Sequence, residues 1–157
     1  MNQVATPVVT DGRAPRFPVS IKGVVFVGGR VVLLQNERDE WELPGGKLEP
    51  GEDPAACVVR EVMEELALDV GLGPILDSWV YDIRGQVEVL IVTYGCRCDA
   101  PGDIVISHEH KAVGLFALTE IDGLPMPEGY RRSIRAWAAL KGEPAPAIHR
   151  SGRAGSP

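Results

Sequence analysis

Apolar and β-branched residues cluster in two stretches near the start of the chain, residues 21–27 (IKGVVFV) and 30–35 (RVVLLQ), separated only by Gly28-Gly29. A two-residue glycine turn between such runs suits a hairpin. Residues 79–84 and 87–94 repeat the pattern around Gly85, and residues 111–118 supply one more candidate strand. The period becomes helical twice. From Pro54 to about Ala67, at about 100° per residue, Val59, Val62, Met63 and Leu66 share one side, while Glu61, Glu64 and Glu65 lie within an arc of roughly 100° on the other. Asp53 suits the N-cap, with a short acceptor side chain, and Pro54 suits the first helical position, where no N–H is needed. From about Pro127 to Lys141, Tyr130, Ile134, Trp137 and Ala138 recur at helical spacing, a stripe read as core, with Gly142 as the stop. Strands interleaved with two helices and several hairpins predict an α/β fold, a mixed sheet covered on both faces.

A chain of 157 residues with 45% hydrophobic content can bury one core. The expected organisation is a flexible segment over 1–17, one domain over 18–141 and a disordered tail over 142–157, which is rich in Gly, Pro and Ala without periodicity. No charged leader precedes an apolar run, and nowhere do roughly 18 apolar residues follow one another, so neither export nor a membrane partner is signalled. A cytoplasmic location is the default. Cys57, Cys96 and Cys98 fit it as buried reduced thiols, because the Cys-X-Cys pair lacks a second pair to complete a zinc site. The net charge of −6 is uneven: residues 37–69 hold 11 of the 22 acids and only Arg38, Lys47 and Arg60 against them. Such a patch repels nucleic acid, so a polymer partner is disfavoured.

Part of that charge has a chemical pattern. Gly46-Lys-Leu-Glu-Pro-Gly-Glu52 leads, after seven residues, to Arg60-Glu61-Val62-Met63-Glu64-Glu65. Glu61 with Glu64 and Glu61 with Glu65 are like charges at helical contact, each costing about 0.2–0.5 kcal/mol, with Arg60 the one base on that stretch of helix. A divalent cation would offset the repulsion. Oxygen-only ligands, with a backbone carbonyl of Gly45-Gly46 added, point to magnesium or manganese rather than zinc, and magnesium is usually shared with substrate phosphates. An isolated Glu-Glu pair is most often a solvated helix face. Here Glu52, Arg60 and the Leu43-Pro44-Gly45-Gly46 turn tip the balance to function. Other phosphate cradles are absent: no Gly-X-X-X-X-Gly-Lys-Ser/Thr occurs, and Gly28-Gly29 has no helix after it. Ser107-His108-Glu109-His110 reads as a polar loop.

The stretch from Gly46 to Leu68 resembles the signature of the Nudix hydrolases, met at Gly46, Glu52, Arg60, Glu61, Val62, Glu64, Glu65 and Leu68. Ala67 stands where that family usually has glycine, and alanine there is expected to let the helix run on by a residue. The resemblance implies a Nudix-like α/β/α sandwich around the mixed sheet and hydrolysis of a nucleoside diphosphate linked to another group. It implies Glu64 and Glu65 as metal ligands and Glu61 as either a third ligand or the base that activates water. Gly46 adds a ligand through its backbone, Arg60 orients the acids, and Glu52 braces the loop or holds a further cation through water. Members that place the base on a later loop make Glu109 the candidate here, with Asp103 the weaker one. Lys47 and Arg84 are the candidate substrate-binding cations. The family's positional hints to ADP-ribose (a proline) and diadenosine polyphosphates (a tyrosine) fall near Ile83-Arg84-Gly85, which holds neither. The expected partner is a small nucleoside diphosphate derivative, a homodimer being an allowed assembly. Two rivals stand beside hydrolysis: a silent nucleotide-binding or regulatory module, and an isoprenoid diphosphate isomerase.

Overall fold

The glycine pair after Val27 closes the first hairpin, both residues taking the left-handed backbone (φ 58 and 75) that two-residue hairpin turns require. The computed structural model describes Gly12 and residues 14–141, so the expected tail over 142–157 and most of the 1–17 segment lie outside the described residues. In chain order the strands are β1 Val19–Val27, β2 Arg30–Gln35, β3 Trp41–Glu42, β4 Gly45–Lys47, β5 Gly71–Ile83, β6 Val87–Arg97 and β7 Ala112–Phe116. Helix α1 spans Pro54–Leu66 between β4 and β5, and α2 spans Glu128–Lys141 at the end, after a short 3-10 turn over Ile121–Gly123.

The sheet is mixed, as the pattern predicts. Its order is β3-β2-β1-β6-β5, with β4 also on β1 and β7 also on β2. β1 and β6 run parallel, and the other pairs are antiparallel. Both faces are covered, which explains the near-continuous apolar runs of β1 and β2. Ile21, Val25, Val32 and Leu34 join Val58, Val62 and Leu66 of α1 in one core. Val24, Phe26, Val31 and Leu33 join Tyr130, Ile134 and Trp137 of α2 in the other. Among the described residues no helix is long and apolar enough to cross a membrane.

Several boundaries differ from expectation. β5 begins at Gly71 rather than at 79, because its pairing with β6 is irregular between Leu72 and Asp77 and so lacks the two-residue alternation by which a strand is read. β6 runs on to Arg97 rather than stopping at 94, and β3 and β4, too short to show a pattern, were not anticipated. Met63, expected in the core, is 45% exposed, while Glu65 is buried at 4%. The helix meets the sheet along Val58, Val62, Glu65 and Leu66, a stripe turned away from Met63.

The helix also ends sooner than expected. Leu66 is its last residue, and Ala67 itself takes the left-handed cap (φ 56), its N–H bonding the Met63 carbonyl at 2.9 Å. Alanine thus occupies the conformation that glycine adopts without strain. Ala67→Gly is expected to raise stability by about 1 kcal/mol, relieving the Cβ clash of that conformation. In a domain of this size that is about 2–4 °C in melting temperature, measurable by calorimetry; a lower melting temperature would refute the strain.

Candidate active site

The acids reach one place through local rules. Asp53 caps α1, its Oδ1 accepting from the N–H groups of Ala55 (2.9 Å) and Ala56 (3.4 Å), so the helix starts at Pro54 and its turns project Arg60, Glu61, Glu64 and Glu65 toward β4. β4 lies close against β1 because Gly45 has no side chain. Its φ is 142, and a Cβ there would fall on the Ile21 carbonyl of β1. A Cβ at Gly46 would likewise meet the Glu61 carboxylate.

Arg60 is the hub of the acids. Its Nε and Nη2 donate to the two oxygens of Glu52 (2.7 and 3.1 Å), and its Nη1 donates to Glu61 (2.9 Å) and Glu64 (3.1 Å). Glu52 accepts a further bond from the Glu49 N–H at 3.2 Å, which closes the loop before the helix. These bonds, Arg60 foremost, hold the Glu52 carboxyl at about 2, and Arg60 is raised in return.

Glu65 has different surroundings. Its Oε2 accepts the Gly45 N–H at 3.0 Å. Burial pushes its pKa up to about 7, although the nearby Lys22 charge and that bond pull the other way. Glu61 is also raised, again chiefly by burial, with Arg60 opposing. The two carboxyls resist ionisation until a cation or a donor compensates them.

The segment before β7 folds back onto the end of α1. Val105 N–H and Ser107 N–H donate to the carbonyls of Leu66 (3.1 Å) and Glu65 (3.0 Å), groups a helix end otherwise leaves unpaired. A cleft of about 770 Å³ results, lined by Gly46, Lys47, Arg60, Glu61, Glu64 and Glu65 from β4 and α1 and by His108, Glu109 and His110 from the loop. Glu52 stands behind Arg60 and does not line the cleft, nor does the exposed Asp103. Arg84 lies in the β5–β6 turn with a left-handed backbone (φ 54), exposed and outside the cleft lining.

Sequence reasoning passed over three residues here. Lys22 of β1 is buried and donates to the Gly45 carbonyl at 3.2 Å. Glu42 of β3 lies 3.8 Å from Lys22 and accepts from His110 Nε2 at 3.1 Å. Burial would raise the Glu42 carboxyl, but Lys22, His110 and Asn36 outweigh it and hold it at about 2. The available signal was a lone lysine inside an apolar strand, since lysine is almost never buried unless paired. His110, read as part of a polar loop, is instead well packed, its side chain 8% exposed.

Among the described residues no three His, Cys, Asp or Glu side chains are gathered as a set for one metal ion, since Arg60 draws Glu61 and Glu64 to itself. The donors nevertheless suit a hard cation. All are oxygens: the carboxylates of Glu61, Glu64 and Glu65, with Glu64 60% exposed at its side chain and paired with Arg60, and the Gly46 carbonyl, which also meets Ser20 Oγ (3.4 Å) and Cys57 Sγ (4.0 Å). Of the thiols, Cys57 and Cys96 are pushed up to about 12, mainly by burial, and are unreactive.

An acid-bearing helix, a glycine turn and a loop carboxylate thus line one cleft. The NUDIX domain family model matches residues 16–137. A MutT-like protein of Streptomyces ambofaciens is 34% identical over 131 residues, which span 82% of this chain and 80% of that protein. The CTP pyrophosphohydrolase of Escherichia coli K12 is 29% identical over 126 residues, 77% of this chain and 91% of that one. In fold, an Ap4A hydrolase of C. elegans superposes with a TM-score of 0.70 at 20% identity, over 80% of this chain and 98% of that one. The chain belongs to the Nudix family and is an enzyme of its diphosphohydrolase kind.

Proposed function

We propose that the protein is a divalent-cation-dependent hydrolase that cleaves the pyrophosphate bond of a nucleoside diphosphate linked to another group, in the cytoplasm. The observation that carries this reading is that Glu61, Glu64, Glu65 and Gly46 line one cleft together with Glu109 of a separate loop. The name of the E. coli relative, a CTP pyrophosphohydrolase, supports a nucleotide as the substrate class.

In this reading Glu64, Glu65 and the Gly46 carbonyl would hold magnesium or manganese, with Glu61 as a third side-chain ligand. Bound there, the cation neutralises charge on the substrate phosphates and on the leaving group. Arg60 orients the acids, and Glu52 braces Arg60 and the loop before the helix. Lys47, exposed at the cleft, pairs with a phosphate. Glu109 takes the proton from the water that attacks phosphorus. The balance is simple: water adds its oxygen to one phosphorus, the bridging oxygen leaves with the other, and the water's proton passes to the carboxylate. Arg84 carries no role in this scheme.

A silent binding module is disfavoured because every acid of the helix and loop is present. An isoprenoid isomerase needs an accessible cysteine acid, and Cys57 is buried inside α1.

The test is a panel of nucleoside triphosphates, nucleotide sugars, ADP-ribose and dinucleotide polyphosphates, run with magnesium, with manganese and with excess chelator. Phosphate-containing products are expected only with metal. The metals are also expected to raise the melting temperature, because a ligand that binds only the native state stabilises it by mass action, about 2.7 kcal/mol at a hundredfold excess over Kd. Full turnover in chelator would remove metal from the scheme, and binding without products would favour the silent module.

A further inference from the structure

Glu42 collects charged and polar partners from three separate parts of the chain. Lys22 of β1 lies 3.8 Å away, His110 Nε2 from the loop before β7 is at 3.1 Å, and Asn36 Nδ2 at the end of β2 is at 3.4 Å. The side chains of Lys22 and His110 are each 8% exposed and that of Glu42 15%. Buried ion clusters are poor sources of stability, because hydrocarbon of the same volume often serves as well or better. This one also leaves the His110 Nδ1 buried with no partner, and Ser107 Oγ in the same loop likewise. A seat that is poor for stability directs attention to what it joins.

It joins two separate segments of the cleft lining. Lys22 grips the Gly45 carbonyl, next to Gly46, on the side of the helix. His110 belongs to the loop that carries Glu109. That loop is irregular and is held at two points: at Val105 and Ser107, on the last carbonyls of α1, and at His110 and Lys111, on Glu42 and on the Gln35 carbonyl (3.0 Å). Glu109 falls between the two anchors, next to His110. No other described residue bonds its carboxylate, so its position is set by its neighbours in the chain.

We infer that the buried Lys22–Glu42–His110 chain is a positioning device, which locks the Glu109 loop at a set distance from the Gly45–Gly46 turn. His110 is then a positioning residue that acts through Glu109. The inference rests on Glu109 being the base.

A double-mutant cycle tests it. His110→Phe keeps a ring in the seat and loses the bond to Glu42. It is expected to lower kcat about 10- to 100-fold, the cost of a misplaced reacting group, with KM and the metal concentration for half-maximal rate within about twofold of wild type. His110→Gln, whose amide nitrogen stands in for Nε2, is expected to restore most of the rate. In a Glu109→Gln background, His110→Phe is expected to cost less than about twofold more, because residues that act as a unit are not additive. Equal losses in both backgrounds, or a loss confined to KM or to metal activation, would overturn the positioning role while leaving Glu109 as base. Normal turnover by Glu109→Gln alone would overturn the base assignment, and this inference with it. Should His110→Phe fail to fold, His110→Asn, polar but too short to reach Glu42, takes its place in the same cycle.

Discussion

Glu65→Gln is expected to lower turnover about a thousandfold or more, because a neutral amide is a poor ligand for a hard cation, and yet to make the metal-free protein more stable. The stability gain comes from burial. The Glu65 carboxyl titrates near 7 in the fold against an ordinary 4.5, so the folded state binds its proton more tightly than the unfolded state does. Its contribution is fully present below pH 4.5 and is lost as pH rises through about 7. Glutamine stays neutral at every pH and can still accept the Gly45 N–H through its amide oxygen. The variant should therefore match wild type at pH 4.5 and exceed it at pH 8, by up to about 3 kcal/mol, or several degrees in melting temperature. Glu64→Gln should lose turnover similarly with little change in melting temperature, since its side chain is 60% exposed. Thermal melts in chelator at both pH values, beside steady-state rates with magnesium, check the pair. Near wild-type turnover in either variant would remove that residue from the metal site, and a Glu65→Gln protein less stable than wild type at pH 8 would refute the burial argument.

Glu109→Gln is expected to lower the rate at saturating substrate by about 100- to 10,000-fold with metal affinity unchanged, the signature of a lost general base. Glu61→Gln should weaken metal binding and rate together. The reasons are geometric. Glu61 sits on the helix wall with the other acids, held by Arg60 Nη1 and backed by Gly46, as suits a joint ligand. Glu109 lines the same cleft from a separate loop, and in the proposed scheme its carboxylate would meet the attacking water beside the cation. If Glu61 were the base the pattern would reverse, with Glu61→Gln keeping its metal and Glu109→Gln mild. Metal titrations read beside single-turnover rates separate the two, and normal turnover by Glu109→Gln rules out its role.

Much of the fold could be read locally. The Gly28-Gly29 turn and the Asp53-Pro54 helix start are marked by residues whose backbone preferences operate without tertiary help, and both stand where expected. β5 was half missed because its pairing is irregular, and Ala67 was misjudged because alanine's cost in a left-handed cap is small enough for the surrounding packing to override.

The sequence by itself determined the acid-bearing helix, the glycine turn before it and the family they belong to. Those groups lie within 23 residues, and one capped helix is enough to bring them to one side. Tertiary structure alone decided that Glu65 is buried, with its pKa pushed up, while Glu64, one residue earlier, is exposed. It alone brought Lys22, Glu42 and His110 together from β1, β3 and a distant loop, and set Glu109 in the same cleft as the helix acids. The physical reason is that spacing along a helix is a local property of the backbone, whereas burial, desolvation and convergence on one cleft depend on neighbours far away in the chain.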